Sequence, residues 1–445
     1  MTAQGTVRPV ITAPLPPGPR LPVALQTILL GSYRERWLPK LREEFGDIFR
    51  LSVFPGRSVV VLADLDHIKT VFSGPVSTFH AGEGNVVLKP VMGENSVLVT
   101  DEDDHLRVRK LLMPAFHGAA LRGYRDMMTG LAAEEVSRWP VGTPFRSHDR
   151  MQGLTLEIIL RVVFGVGEGA RLDELRALLR STVDIGLLDI LGWHSPKLQR
   201  FKPWRTNALV QRRVDELVYE EIAERRRADD LESRTDVLSR LLTVPSDDDK
   251  LSDAELRDQL ITLLLAGHET TATALAWAFH ELARNPAEQA SATRAADEGD
   301  EKYLDAVTKE SLRLHPVISA VARKLTEDIE IGGYRVPAGH TVAPSIILLH
   351  GDKTYYPDPA EFRPGRFVDG GPPTGTWLPF GGGVRRCLGA GFSLMEADIV
   401  LGEVLRRFRL SPDRLRPEPV HTRNITQVPG RGARIVATER RLASS

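Results

Sequence analysis

The segment "GGGVRRCLGAG", residues 381–391, contains the only cysteine of this 445-residue chain, Cys387. Glycines stand on both sides of it, and Arg385 and Arg386 come directly before it. A lone cysteine usually packs in a core as a small hydrophobe, but glycines offer no side chains to pack against it. The following residues, 388–408, have helical periodicity. We therefore expect Cys387 just before a helix N-terminus, where the helix dipole and the arginines lower the pKa of a thiol and favour the thiolate.

Three roles for this thiolate follow from its chemistry. A nucleophile needs a general base, and the local sequence has no Cys–His signature, although a histidine that is distant in sequence remains an alternative. A zinc site would need more cysteines or clustered histidines, which the sequence lacks. A single thiolate in open surroundings suits one axial position on a haem iron.

The longer segment "FGGGVRRCLG", residues 380–389, resembles the haem-binding loop of the cytochrome P-450 family, F-x-x-G-x-R-x-C-x-G. The matching positions are Phe380, Gly383, Arg385, Cys387 and Gly389. The resemblance implies haem b as cofactor and Cys387 as its axial iron ligand. It also implies a mainly α fold with a smaller β-rich region, in which a single haem lies between a long central helix and the helix after the cysteine loop.

Composition sets further expectations. The formal net charge of -1 gives no indication of a nucleic-acid partner. A single cysteine cannot form an internal disulfide, which fits a cytoplasmic location. No apolar run is long enough to span a bilayer, so we expect a soluble monomer. Residues 1–22 form a proline-rich lead-in, which leaves weak peripheral membrane contact open, and residues 23–445 form one haem-thiolate monooxygenase domain.

Periodicity predicts the main elements. Residues 48–62 read as two strands around a turn at Pro55–Arg57, and residues 328–344 as a second hairpin that turns at Gly332–Gly333. The region between them is helical. Its longest helix follows Ser252, with Glu255 three residues later as in a capping box, and stops near Asn285 and Pro286.

The segment "AGHETT", residues 266–271, falls in the middle of this long helix and is similar to the family's A-G-x-E/D-T motif. The resemblance implies four catalytic positions, namely Ala266, Gly267, Glu269 and Thr270. Gly267 would leave space for dioxygen, Thr270 would hydrogen-bond to oxygen and water, and Glu269 would relay protons. The alternative for Thr270 is a hydroxyl that bonds back to its own helix.

Two groups of charged residues also match the family. Glu310 and Arg313 of "ESLRLHP", with Arg366 of "FRPGRF", would form a buried ion triad that fixes the core near the cysteine loop. The haem propionates need cationic partners. The resemblance assigns these to His105, Arg109, Arg323 and Arg385.

The resemblance predicts a monooxygenase that inserts one oxygen atom from O2 into a lipophilic substrate such as a steroid, terpenoid or fatty acid. Electrons would come from a ferredoxin or flavodoxin with its reductase. From their charge, Arg386, Arg107 and Lys110 are candidate contacts for the acidic ferredoxin or flavodoxin. The alternatives are a peroxygenase driven by hydrogen peroxide and a non-catalytic haem sensor or carrier. Predicted substrate-pocket residues are Val87, Leu88, Leu263, Ala266, Val317, Ile318, Val321 and Ile425, with further walls from residues 184–201 and Lys89 or Arg200 as candidate carboxylate anchors.

Overall fold

The computed structural model describes residues 13–165, 169–182, 197, 201–202, 204–246, 249–368, 370–423 and 425–440. The α-helices of these residues are α1 (Val23–Ser32), α2 (Arg34–Phe45), α3 (Leu65–Ser73), α4 (Ala81–Gly84), α5 (Lys89–Met92), α6 (Glu102–Leu112), α7 (Gly118–Gly123), α8 (Arg125–Ser137), α9 (Ser147–Phe164), α10 (Ala170–Thr182), α11 (Trp204–Arg225), α12 (Val237–Leu242), α13 (Asp253–Arg284), α14 (Pro286–Glu298), α15 (Glu301–Leu314), α16 (Ile346–His350) and α17 (Ala390–Arg407).

The strands are short, and they come mainly from the two ends of the chain. They are β1 (Ile48–Val53), β2 (Arg57–Leu62), β3 (Phe79–His80), β4 (Pro144–Arg146), β5 (Arg323–Leu325), β6 (Ile329–Ile331), β7 (Tyr334–Val336), β8 (Thr341–Pro344), β9 (Phe408–Pro412), β10 (Val420–Arg423), β11 (Thr426–Pro429) and β12 (Arg434–Glu439). The expected mainly α architecture with a smaller β-rich region is therefore confirmed.

The central helix α13 begins and ends where its sequence predicts. The backbone N–H of Glu255 donates to Ser252 Oγ at 3.3 Å, and the Ser252 N–H donates to the Glu255 carboxylate at 2.8 Å. This reciprocal capping satisfies two N–H groups that a helix start leaves free. Pro286 lacks an N–H and starts the next helix, α14, so α13 ends at Arg284.

Most of α13 is buried because it runs through the main hydrophobic core. Helix α9 packs along it, and α11, α15 and α17 contact it at other points. Apolar side chains from all of these helices form one cluster, which includes Leu156, Leu260, Leu275 and Leu401. The burial of so much apolar surface fixes α13 in position, so residues in its middle are held rigidly.

The largest sheet joins the two halves of the sequence. Its strand order is β1-β2-β8-β5-β3, in which β2 and β8 are parallel and the other pairs are antiparallel. Strand β8, from the second predicted hairpin region, thus pairs with β2 of the predicted hairpin β1–β2. Strands β6 and β7 form a separate hairpin that turns at Gly332–Gly333. A three-stranded sheet of order β4-β12-β9 and the β10–β11 ribbon complete the β structure of the described residues.

The described part of the proline-rich lead-in is bonded to this sheet region. The Arg50 N–H donates to the Pro17 carbonyl at 2.7 Å, and the Arg335 N–H donates to the Pro14 carbonyl at 2.9 Å. In α1, the polar Gln26 is buried and accepts a bond from the Ser52 N–H at 2.9 Å. No helix of the described residues is long and apolar enough to cross a membrane.

Candidate active site

The cysteine loop has a backbone that only glycine accommodates well. Gly381 and Gly383 have φ angles of 66° and 65°, in the left-handed region that side chains disfavour. A Cβ on Gly383 would lie 2.2 Å from the carbonyl oxygen of Phe72, at the end of α3. The Cys387 N–H donates to the Phe380 carbonyl at 2.9 Å and closes the loop. The sulfur therefore has a fixed position just before α17.

The pKa of Cys387 departs from the sequence-based expectation. Burial raises the pKa of this thiol, although its side chain keeps an accessible surface. A hydrogen bond from the Gly389 backbone and the charges of Arg109 and Arg386 act in the opposite direction, but they do not prevail. The prediction that the helix terminus and the arginines suffice for a thiolate was wrong. A thiolate here needs a further positive centre, and a bound metal ion deprotonates a coordinating thiol.

One face of the central helix is accessible although its neighbours are buried. Ala266 is exposed, and Leu263 and Thr270 are partly exposed. Leu264 and Thr271, on other faces of the same turns, are buried. Because residues three and four apart share a helix face, the accessible residues form a stripe that borders open space.

The central helix α13 contacts α17, the helix that follows the cysteine loop. The Thr271 and Ser393 hydroxyl oxygens are 3.0 Å apart and join α13 to the first turns of α17. A Cβ placed on Gly389 would meet no atom within 4 Å, so space is also open beside the cysteine loop. The arrangement suits a flat group that touches the accessible face of α13 and the exposed sulfur of Cys387.

The side chains of Glu269 and Thr270 in "AGHETT" bond to different parts of the structure. Thr270 Oγ1 donates to the Ala266 carbonyl at 2.8 Å, which is the back-bonding alternative raised from the sequence. Glu269 is buried and accepts a hydrogen bond from Gln152 Nε2 of α9. Arg423 Nη1 lies 3.5 Å from the same carboxylate. The roles of Ala266, Gly267, Glu269 and Thr270 stay predictions.

Positive charge collects on one side of the cysteine loop. His105, Arg323 and Arg385 line the same small cavity. Burial, together with the nearby charge of Arg385, lowers the pKa of Arg323 to about 10 and that of His105 to about 3. Burial also lowers the pKa of Arg385 to about 10. His105 is therefore neutral near pH 7, and the lowered pKa values of Arg323 and Arg385 mean that burying these two charges close together costs the protein free energy.

Glu102 lines the same cavity, and the acidic residue that pairs with a member of this group is Asp101. Its carboxylate accepts a hydrogen bond from Arg385 Nη2 at 2.6 Å. Arg109 donates to the carbonyl of Arg386 at 2.8 Å and so faces the cysteine loop. We call His105, Arg109, Arg323 and Arg385 the cation cluster. Its excess of cations fits the two carboxylates of a haem, and its members are the four residues that the resemblance assigned to them.

The predicted ion triad is brought together. Arg313 donates to both Glu310 carboxylate oxygens, at 2.7 and 2.9 Å, and Arg366 Nε lies 3.2 Å from Glu310 Oε1. The remaining Arg313 hydrogens reach the carbonyls of His350, Pro359 and Glu361. Both Glu310 and Arg313 are buried, so each charge depends on the other for compensation.

The predicted pocket residues differ in accessibility. Val317 is buried in a small cluster with Ala274 and Leu312. The other seven keep some accessible surface: Val87, Leu88, Leu263, Ala266, Ile318, Val321 and Ile425. Among them, Ala266 and Ile425 are exposed. Lys89 pairs with Glu94 at 3.0 Å. Residues 184–201, with the candidate anchor Arg200, lie almost entirely outside the described residues, so that wall stays a prediction.

Two of the three arginine and lysine positions predicted to dock a redox partner remain accessible. Arg386 and Lys110 are exposed. Arg107 forms an ion pair with Glu255 at the start of α13. Arg107 is therefore bonded within the protein, because Glu255, which caps α13, lies beside α6.

One buried acid was missed by the sequence analysis. Glu396 of α17 is buried, and neither of its carboxylate oxygens has a hydrogen-bond partner among the described residues. Burial raises the pKa of Glu396 well above its ordinary value. Glu396 lies four residues from both Phe392 and Val400, so the three share one helix face. This spacing was the signal in the sequence that predicts its burial.

Known proteins match this chain along most of its length. The family described as Cytochrome P450 matches residues 15–433. Cytochrome P450 135A1 of Mycobacterium tuberculosis is 50% identical over 436 residues, covering 97% of each chain. Cytochrome P450 135B1 of Mycobacterium bovis is 43% identical over 432 residues, covering 95% of this chain and 91% of the relative. The solved structure titled "Retinoic acid bound cyanobacterial CYP120A1" has a TM-score of 0.83 at 24% identity, covering 96% of this chain and 100% of that one.

Proposed function

The chain belongs to the cytochrome P450 family, and we propose that it inserts one oxygen atom from O2 into a lipophilic substrate, with electrons from a separate redox partner. Membership in this family makes it a haem-dependent oxidoreductase of the monooxygenase type. The substrate, the electron donor and the role of each residue belong to the proposal. Residues 23–445 would form a single cytoplasmic domain that acts as a monomer.

The observation that carries the proposal is the position of Cys387. Its sulfur is held by a loop with glycines at positive φ, keeps an accessible surface, and comes just before α17, which contacts α13 through Ser393 and Thr271. The Gly389 backbone, Arg109 and Arg386 lower the pKa of this thiol less than burial raises it, and a bound iron ion would favour the thiolate further. Haem, when bound, supplies the activation of dioxygen, and a cysteine ligand favours O–O cleavage.

The remaining site residues would bind, orient and supply protons. The cation cluster would hold the haem carboxylates, and the Gly389 N–H would hydrogen-bond to the sulfur and moderate its basicity. Thr270 would exchange its bond to the Ala266 carbonyl for bonds to oxygen and water. Glu269 would take up protons from the α9 side of the central helix and pass them toward Thr270.

The accessible pocket residues favour a lipophilic substrate. Leu263, Ala266 and Ile425 present apolar surface and carry no charge. The structural neighbour was solved with retinoic acid, an apolar chain with one carboxylate. A steroid, terpenoid or fatty-acid ligand fits such walls, and retinoic acid is a reasonable first probe in a spectral binding screen of the purified protein.

A separate redox partner would dock at the exposed Arg386 and Lys110, beside the cysteine loop. An acidic ferredoxin or flavodoxin complements these charges. We expect Arg386→Glu to slow reduction by the partner about tenfold, with a steeper loss at low salt. Reduction by dithionite should not change, and an unchanged partner-dependent rate would place the docking surface elsewhere.

The central test is the spectrum of the reduced protein with carbon monoxide. The wild type should give the band of a thiolate-ligated haem, and Cys387→Ser should lose it. Val384→Ala, an exposed position in the same loop, should keep the band. A histidine-type band in the wild type would refute the proposed ligation. Turnover with hydrogen peroxide alone, and none with a redox chain, would favour the peroxygenase alternative.

A further inference from the structure

The C-terminal hairpin β10–β11 has one strand that is firmly held and one that is not. All four residues of β11 are buried. The indole N–H of Trp277, on α13, donates to the Gln427 carbonyl at 2.9 Å, and the Gln427 N–H donates to the Val317 carbonyl at 2.8 Å. Strand β11 is thereby attached both to the central helix and to the segment after α15.

Strand β10 is the more accessible strand, and it is paired with β11 along its length. At its end, Arg423 extends into the protein, with its Nη1 atom 3.5 Å from Glu269 Oε1. Ile425, at the tip of the hairpin and two residues further along, is 43% exposed. Arg423 therefore links the end of β10, beside the hairpin tip, with the carboxylate of Glu269.

Glu269 is held on the side of α13 that faces α9. Gln152 donates to one of its oxygens, and His148 Nε2 lies 3.9 Å from the other. Gln152 also lines a cavity of about 360 Å³ whose walls include Asp149 and Arg180. Gln152 thus connects the carboxylate to a polar cavity, while Arg423 approaches it from the hairpin.

We propose that Arg423 is a positioning residue for Glu269, so that a ligand pressing on the hairpin tip at Ile425 also shifts the carboxylate. This inference rests on the proposed function, because Glu269 matters only if it relays protons. The side chains of Arg423 and Glu269 are 20% and 10% exposed, respectively. Water screens such a pair less than it screens a surface pair. A small displacement of β10 changes the distance between the two charges directly.

The first experiment measures hydrogen exchange of the hairpin in the haem-loaded full-length protein. Arg423→Gln and Glu269→Gln should each speed exchange of the β10 amides about tenfold, since each removes the same link. The double variant should exchange no faster than either single variant. Arg423→Lys should restore most of the protection, because it keeps the charge. Unchanged exchange of β10 in Glu269→Gln would overturn the proposal.

A matched control is Arg431→Gln. Arg431 follows the same hairpin but pairs with Asp413, 3.4 Å away, instead of Glu269. It should not alter β10 exchange, and its effect should add to that of Glu269→Gln. If Arg431→Gln loosened β10 as much as Arg423→Gln does, the loss would reflect general weakening of this region, and the specific link would be refuted.

The second experiment separates positioning from structure. During ferredoxin-supported electron consumption, Arg423→Gln should raise the share of electrons lost to hydrogen peroxide about threefold, and Arg423→Lys should restore the wild-type share. An unchanged share would refute the effect on Glu269.

The hydrogen-exchange result does not depend on turnover. If it holds while no oxygenated product is ever formed, the proposed function fails and the link stands. If product forms while β10 exchange is unchanged, the proposed function stands and the link fails.

Discussion

The ion triad and the cation cluster are two buried groups of charges with opposite balances. In the triad, Glu310 accepts hydrogen bonds from Arg313 and Arg366, and backbone carbonyls take the remaining Arg313 hydrogens. In the cation cluster, three arginines lie near a neutral histidine; Asp101 pairs with Arg385, and Glu102 lines the same cavity. The triad is complete from protein groups alone, whereas the cluster has excess positive charge.

The difference separates groups that hold the fold from groups that await a ligand. A satisfied buried ion pair is costly to break, because its loss leaves one charge without compensation. Burial of like charges costs free energy until an anion binds; burial first, and then the charge of Arg385, lowers the pKa of Arg323 to about 10 and that of His105 to about 3. Substitutions in the two regions should therefore change stability in opposite directions.

The largest expected effect is in the triad. Glu310→Gln should lower the free energy of unfolding by about 3–5 kcal/mol, because Arg313 then stays buried without its counter-charge. Denaturant unfolding of the apoprotein measures the change. Glu134→Gln, which breaks the exposed pair with Arg138, is the control and should cost under about 1 kcal/mol. A loss of that small size at Glu310 would mean that the triad does not hold the core.

The cation cluster should respond in the opposite way. Arg323→Met removes a buried charge that has little compensation, so the apoprotein should gain about 1 kcal/mol of stability. Haem affinity should fall about tenfold to a hundredfold, as expected for the loss of one charged hydrogen bond. Haem transfer to an acceptor protein measures the affinity, and Arg323→Lys should retain most of it. A destabilised apoprotein with unaltered haem affinity would contradict the contrast between the two charge groups.

A smaller effect should appear in the pH dependence of the apoprotein. His105 has a pKa of about 3 in the fold, so it stays neutral where a histidine of the unfolded chain takes up a proton. Its contribution to stability is complete above the unfolded pKa of about 6.5 and is lost as pH falls toward 3. Between pH 6.5 and 5.5 the loss should be about 1 kcal/mol.

The check is unfolding of the wild type and His105→Gln at both pH values. The variant lacks the titrating ring, so it should lose less stability than the wild type over this interval. Equal losses in both proteins would show that His105 takes up its proton in the fold, and that the cluster is less crowded with positive charge than the structure indicates.

Local sequence was sufficient for features that depend on spacing along the chain. Ser252 and Glu255 cap α13 because three residues separate them, and Arg313 meets Glu310 for the same reason. The glycines around Cys387 indicated an unusual loop, and their positive φ angles and close approach to Phe72 explain it. Short-range geometry of this kind is fixed by helix and turn parameters.

Features that depend on distant residues were not predictable in this way. The sequence does not say that Glu269 turns toward Gln152 and Arg423, or that Asp101 pairs with Arg385. It also suggested a lowered pKa for Cys387, because the arginines are adjacent in sequence while the burial that outweighs them comes from tertiary packing. Packing between remote segments decides these points, and one sequence carries no direct signal for it.

The close contact between Gly383 and the Phe72 carbonyl constrains the order in which parts of the protein can fold during biosynthesis. Phe72 is translated long before the cysteine loop, because it lies far earlier in the sequence. The helical core around α9 and α13 can therefore collapse while the sulfur has not yet been made. Haem ligation by Cys387 would have to follow translation of this loop, so a nascent chain arrested before residue 380 should form much of the core and remain colourless.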